Sequence, residues 1–179
     1  RDPSLIEKVI AGETKYIEEF QPDFVKIMTD GYFHYQHPQV ASARRISDLK
    51  GLRPLADDDP WFTEQIAYAK KLTSKYETAM FYNVFGAATT LRFMQPEWEK
   101  GEALIVSWIK EDKETLKAAF DVISGDLAKL ARRIVTEGGA TGIYFSVQNL
   151  IGDGITKDIY REVIAPGEKA VLAAVREVS

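Results

Sequence analysis

The chain contains no cysteine, which removes disulfide frameworks, thiolate zinc sites and cysteine nucleophiles from these residues. Histidine is nearly absent too: His34 and His37 are the only two, and without a third ligand placed by spacing they make no metal signature. No apolar stretch approaches the roughly 20 residues that a membrane helix needs. The amino end, Arg1-Asp2-Pro3-Ser4-Leu5, has neither an apolar signal core nor an initiator Met. A basic excess is also missing, since 23 Lys and Arg face 27 Asp and Glu for a formal net charge of −4, so nothing marks nucleic acid as a partner. Gly-x-Gly-x-x-Gly, Gly-x-x-x-x-Gly-Lys-Ser/Thr, HExxH and a nucleophile elbow do not occur in a fitting context. These absences lead to the expectation of a cytoplasmic protein that meets a small molecule, with no nucleic acid and no membrane partner. The missing Met adds the expectation of an internal fragment of a longer chain.

What is present is enough apolar material for one domain, 45% of 179 residues. The strongest helical pattern runs from Lys113 to Glu137, where Leu116, Phe120, Ile123, Leu127, Leu130 and Ile134 recur at alternating steps of four and three. Gly138-Gly139 stops it. An earlier helix starts at Pro3-Ser4, carries Ile6, Val9, Ile10, Tyr16, Ile17 and Phe20, and ends before Pro22. A third opens at Asp58-Asp59-Pro60, with Asp as cap, and reaches Tyr76. Shorter candidates cover Glu97 to Glu111, Lys157 to Ile164 and Pro166 to Val178.

Three short apolar runs lie between the helices: Phe24 to Met28, Met80 to Phe85, and Gly142 to Val147. Their aromatic and β-branched content, without clean alternation, predicts strands of a parallel sheet. Strands alternating with long helices give an α/β fold. Three parallel strands leave two bare edges, and a closed barrel of eight strand–helix units needs about 250 residues. The expectation is therefore one domain over residues 1–179 forming about half of a TIM (β/α)8 barrel. Residues from Gly31 to Leu55 are expected as one long irregular loop.

In parallel α/β folds ligands bind beyond the carboxyl ends of the strands. That rule selects Thr29 to His34, Asn83 to Ala87, and Ser146 to Asn149. Asp30 comes first, because a carboxylate at a strand end can meet a ligand, although Asp-Gly is also an ordinary turn pair. Tyr32, Phe33 and Tyr35 either line a pocket for a flat ligand or pack the loop. Asn83 and Gln148 are polar at interior strand ends and must find partners in backbone or ligand. Asp57-Asp58-Asp59 is accounted for by the helix start that follows.

Pro22-Asp23-Phe24-Val25-Lys26-Ile27-Met28-Thr29-Asp30-Gly31, Phe81-Tyr82-Asn83-Val84-Phe85-Gly86-Ala87 and Gly138-Gly139-Ala140-Thr141-Gly142-Ile143-Tyr144-Phe145-Ser146-Val147-Gln148 together resemble the uroporphyrinogen decarboxylase family. The likeness leans toward its divergent bacterial decarboxylase-like branch. It implies a (β/α)8 barrel, a homodimer and decarboxylation of a tetrapyrrole-like small molecule without cofactor or metal. Thr29-Asp30 matches the family's Ser-Asp pair, whose Asp binds pyrrole N–H groups and offsets positive charge as a ring is protonated. On the same resemblance Asp30 is the catalytic residue, Tyr32, Phe33 and Phe85 shape an apolar wall, and Asn83, Ser146 and Gln148 support the substrate. The family's active-site Tyr falls near Phe93-Met94, and the bases available for substrate carboxylates are Arg92, Arg44 and Arg45. Two alternatives accompany this reading: a corrinoid-dependent, zinc-assisted methyltransferase of the same superfamily, and a ligand-binding barrel without turnover.

Overall fold

A computed structural model describes residues 3–95, 97–148 and 154–178; Asn149 falls outside them. In chain order the elements are α1 (Pro3–Phe20), β1 (Phe24–Ile27), α2 (Pro38–Ser42), a 3₁₀ turn (Ile46–Leu49), α3 (Pro60–Thr73), β2 (Ala79–Phe85), α4 (Ala87–Arg92), α5 (Trp98–Thr136), β3 (Gly142–Ser146), α6 (Lys157–Ile159), a π-turn (Tyr160–Ile164) and α7 (Ala165–Arg176). All three expected strands form. They make one parallel sheet in the order β1-β2-β3, with Ile27 opposite Tyr82 and Phe85 opposite Ser146. The fold is α/β, and among the described residues no helix is long and apolar enough to cross a membrane.

The caps follow the sequence chemistry. Asp59 accepts from Trp61 N at 2.8 Å and starts α3 with Pro60 in its first turn. Gly139 takes φ +73 after α5, while Gly138 N and Ala140 N close on Arg133 O and Ile134 O. The two helices expected at Glu97–Glu111 and Lys113–Glu137 are joined into α5 across Asp112, which leaves helical geometry at φ −155, ψ 81. Its carboxylate accepts from Thr115 N and Thr115 Oγ1, so Asp112 acts as an internal cap for the second half.

Two expectations need correction. The stretch from Gly31 to Leu55 is not irregular throughout. It contains α2, capped by His37 Nδ1 accepting from Gln39 N, and the Ile46–Leu49 turn, where Asp48 Oδ2 accepts from Arg44 N and Arg45 N. Helix α4 was not expected at all: Ala87 to Arg92 is buried along its whole length, so its sequence has no polar face from which a helical period could be read.

Strand alternation divides the sheet into two unlike faces. Val25, Ile27, Met80, Tyr82 and Val84 point one way and are at most 2% exposed. On this side α5 packs against β2 and β3, and Tyr82 OH donates to Gln65 of α3 at 3.1 Å. Burying each such side chain is worth about 1.5–3 kcal/mol. The other face carries Phe24, Lys26, Phe81, Asn83, Phe85, Tyr144 and Ser146. Phe24 is 59% and Tyr144 49% exposed, the Phe24 and Phe81 rings meet edge to face, and Lys26 Nζ stands 4.1 Å from the centre of the Tyr144 ring. This face is covered only toward the carboxyl end of β2, where Asn83 and Phe85 are buried.

Candidate functional site

Asp30 follows β1 in a tight turn. Tyr32 N donates to Thr29 O at 2.8 Å, and Gly31 takes φ +88 at the third position, a conformation that favours Gly. The turn reading of Asp30 therefore holds, and its side chain is exposed. The peptide just before it is held from two sides, since Glu13 Oε1 of α1 accepts from Met28 N at 3.2 Å and Tyr68 OH of α3 donates to Met28 O at 2.9 Å. β1 ends at the Ile27–Tyr82 pair and Asp30 follows in the turn beyond it, while Phe85 and Ser146 pair at the carboxyl ends of β2 and β3. The three strand ends thus bring Asp30, Phe85 and Ser146 to the same rim of the sheet.

Of the three aromatics expected to form a wall, Phe33 and Phe85 come together and Tyr32 does not. Phe33 meets Phe85 edge to face at 5.3 Å, Phe93 lies 5.4 Å from Phe33, and Phe85 and Phe93 are 5.1 Å apart. Such pairs add about 0.5–1.5 kcal/mol each beyond burial. Phe93 stands in the neighbourhood where the resemblance implies a Tyr, and it contributes a ring without a hydroxyl. Tyr32 departs from that wall: it is buried, and its hydroxyl donates to Glu64 Oε2 at 3.1 Å. Its role in this structure is to tie the rim loop to α3.

Asn83 and Ser146 meet directly, Ser146 Oγ donating to Asn83 Oδ1 at 2.6 Å. Asn83 is 1% exposed, and its Nδ2 has no hydrogen-bond partner among the described residues. A buried donor left unmade costs about 1–3 kcal/mol. Gln148 is half-buried, and its backbone N lies 3.5 Å from Thr89 Oγ1, a long contact that places the residue beside α4 without engaging its side chain. Of the possible bases, Arg92 is 1% exposed with Nη2 3.6 Å from Glu102 Oε2. Burial pulls its guanidinium below the usual arginine range, and Glu102 opposes that. Arg45 pairs with Asp48 on the surface, and Arg44 caps the carbonyls of Ala41 and Ala43. None of the three arginines stands on the open face of the strands.

Three carboxylates, Asp126 and Glu168 buried and Glu13 half-buried, escaped the sequence reading, and each carried the same signal. Glu13 follows Ile6 and Ile10 and precedes Ile17 at steps of four, three and four, so it interrupts the apolar stripe of α1. Glu168 does the same among Ile164, Val171 and Val175, and Asp126 among Ala119, Ile123 and Leu130. Burial raises the Glu13 carboxyl above the ordinary range; the Met28 N–H opposes this and the nearby Asp30 charge adds to it. Burial likewise raises Glu168, which accepts from Tyr160 OH, and that hydroxyl is itself pushed up to about 12, chiefly by burial and then by Glu168. A Cβ at Gly86 would come 3.3 Å from Glu168 Oε1, so Glu168 reaches the end of β2. Asp126 Oδ2 accepts from Tyr35 OH at 2.6 Å and Leu55 N at 2.8 Å, pinning the rim loop to α5. Among the described residues no group of three His, Asp or Glu is arranged to hold a metal ion.

Comparison of the chain with models of known protein families, with curated proteins and with solved structures finds no match.

Proposed function

We propose that this chain forms an arc of a (β/α)8 barrel of the uroporphyrinogen decarboxylase type, and that it takes a tetrapyrrole-like ligand at the carboxyl ends of its strands. The observation that carries this reading is the convergence of Asp30, Phe85 and Ser146 on one rim of a parallel sheet whose helices pack on the opposite face from Phe24, Phe81 and Tyr144. A doubly wound domain would cover both faces with helices, whereas a barrel turns one face inward. Further strands are needed to close such a cylinder.

Asp30 is the exposed carboxylate of that rim. A carboxylate there accepts pyrrole N–H bonds and offsets the positive charge that develops when a ring is protonated. The protonated ring then receives the electron pair released as CO₂ departs, so the chain's own part is to place the charge and exclude water. Phe33, Phe85 and Phe93 supply an apolar cluster of rings beside the ligand. Under anaerobic reducing conditions the protein is expected to convert uroporphyrinogen to coproporphyrinogen, with Asp30→Asn lowering kcat/KM about 30-fold, the equivalent of about 2 kcal/mol. Absence of product from the parent protein contradicts decarboxylation. The ring of Phe93, in place of a hydroxyl, favours binding without turnover as a second reading. That reading expects porphyrinogen affinity that Asp30→Asn weakens, with no CO₂ released.

A further inference from the structure

We propose that a single buried water is built into the fold where β1 parts from β2, held by Thr29, Gln65 and Thr90, and that it anchors the turn carrying Asp30. The inference is independent of what the strand ends bind. β1 pairs with β2 only as far as Ile27 and Tyr82, whereas β2 continues to Phe85. Along β2, Met80 O accepts from Thr141 N and Gly86 N donates to Ser146 O, so the even-numbered residues turn their backbone groups to β3. Asn83 and Phe85 therefore turn theirs to the β1 side, past the last ladder pair. Met28 gives its N–H to Glu13 of α1, and its carbonyl accepts from Tyr68 of α3.

A cavity of about 10 Å³ lies at this parting, lined by Thr29, Asn83 and Phe85 together with Gln65 of α3, Thr90 of α4 and Leu127 of α5. Space of that size admits one water and no larger ligand. The wall is polar where a water needs partners, for Thr29, Gln65 and Thr90 are at most 3% exposed. The Thr90 hydroxyl donates to Ala87 O, which leaves its oxygen able to accept. Gln65 donates to Trp61 O and accepts from Tyr82 OH, with one N–H hydrogen and one lone pair left over. Thr29 adds a hydroxyl that the bond of its own turn, Tyr32 N to Thr29 O, does not use. A water here accepts from the Thr29 hydroxyl and donates to Thr90 Oγ1 and Gln65 Oε1, within the two to four bonds that a buried water makes. It takes the place of the next rung of the ladder and ties the end of β1 to α3 and α4.

The test compares valines of matching shape in the whole chain. Thr29→Val removes one of the water's partners and should lower the folding equilibrium constant, read by urea titration, about fivefold, as fits loss of one hydrogen bond. A Thr29→Val variant as stable as the parent, or more so, overturns the site, because a buried hydroxyl that meets no polar partner is better replaced by a methyl. Thr90→Val acts through the same water, so in its background Thr29→Val should change the folding constant by less than about twofold. Fully additive losses from the two substitutions overturn the shared water. If neither variant folds, a crystal structure of the parent chain carries the test. One water peak within hydrogen-bond reach of both Thr29 Oγ1 and Thr90 Oγ1 is the expected result, and a cavity that shows no such peak at high resolution overturns the site.

Discussion

Val25, Ile27, Met80, Tyr82 and Val84 alternate along β1 and β2 with Phe24, Lys26, Phe81, Asn83 and Phe85, yet the two sets meet opposite surroundings. The first set is sealed under α3 and α5. The second keeps Phe24 about half exposed, as is Tyr144 on the same face of β3, and is closed only where Phe33 and Phe93 cover the carboxyl end of β2. Local sequence does not explain the contrast, because both sets are largely apolar. It arises from where the helices pack. An apolar face without a helix layer is expected to meet something else, and exposed aromatic patches of this kind mark interaction sites.

The comparison breaks most readily at Tyr82 and Phe24. Tyr82→Ala, which removes a buried ring and its bond to Gln65, should lower unfolding free energy in urea by about 3–5 kcal/mol. Comparable loss from Phe24→Ala would mean that the second face is as well packed as the first. Asp126→Ala tests how the helix layer holds the rim loop. It strands Tyr35 OH and Leu55 N–H, should cost about 2–3 kcal/mol, and should speed hydrogen exchange at the Leu55 amide; an unchanged amide would contradict the tether.

The pH dependence sharpens the same contrast, because Glu168 is buried under the end of β2. Its carboxyl is raised by burial, so the folded state holds a proton that the unfolded chain releases near pH 4.5. The stability this contributes is complete below that value and is lost as pH rises toward the raised folded value. Glu168→Gln should flatten this fall in the urea midpoint above pH 4.5. Retention of the parent slope would show that Glu168 is not protonated there. Glu13 has the same sign, and Glu13→Gln should act in the same direction. The smallest effect is expected at Phe24→Ala, within about 1 kcal/mol, as the ring keeps only an edge contact with Phe81.

Strands and long helices were legible because each depends on local pattern. The stripe from Leu116 to Ile134 and the Asp59-Pro60 start both appear where expected. Alternation could not be read in β2, since apart from Asn83 its inward and outward residues are both apolar and only packing tells Tyr82 from Phe81. Helix α4 was hidden by complete burial. At the strand ends, the turn at Asp30-Gly31 was legible from its residue pair, and the meeting of Phe33 with Phe85 was implied only by the family resemblance. The place of Tyr32 was not legible, because its partner Glu64 is distant in sequence. Glu13, Glu168 and Asp126 could have been found: an acidic residue inside an apolar stripe must have a buried partner or a shifted proton.

The central claim is that one face of this sheet is sealed by helices while the other stands open. The absence of cysteine allows a direct measurement, the labelling rate of single cysteines by a thiol reagent in the folded protein. Cysteine at position 24 or 144 is expected to react within about tenfold of an unfolded control, and cysteine at position 27 or 80 about 1,000-fold more slowly, because reaction there waits on opening of the core. Equal protection at all four positions would contradict an open face, and with it the barrel arc.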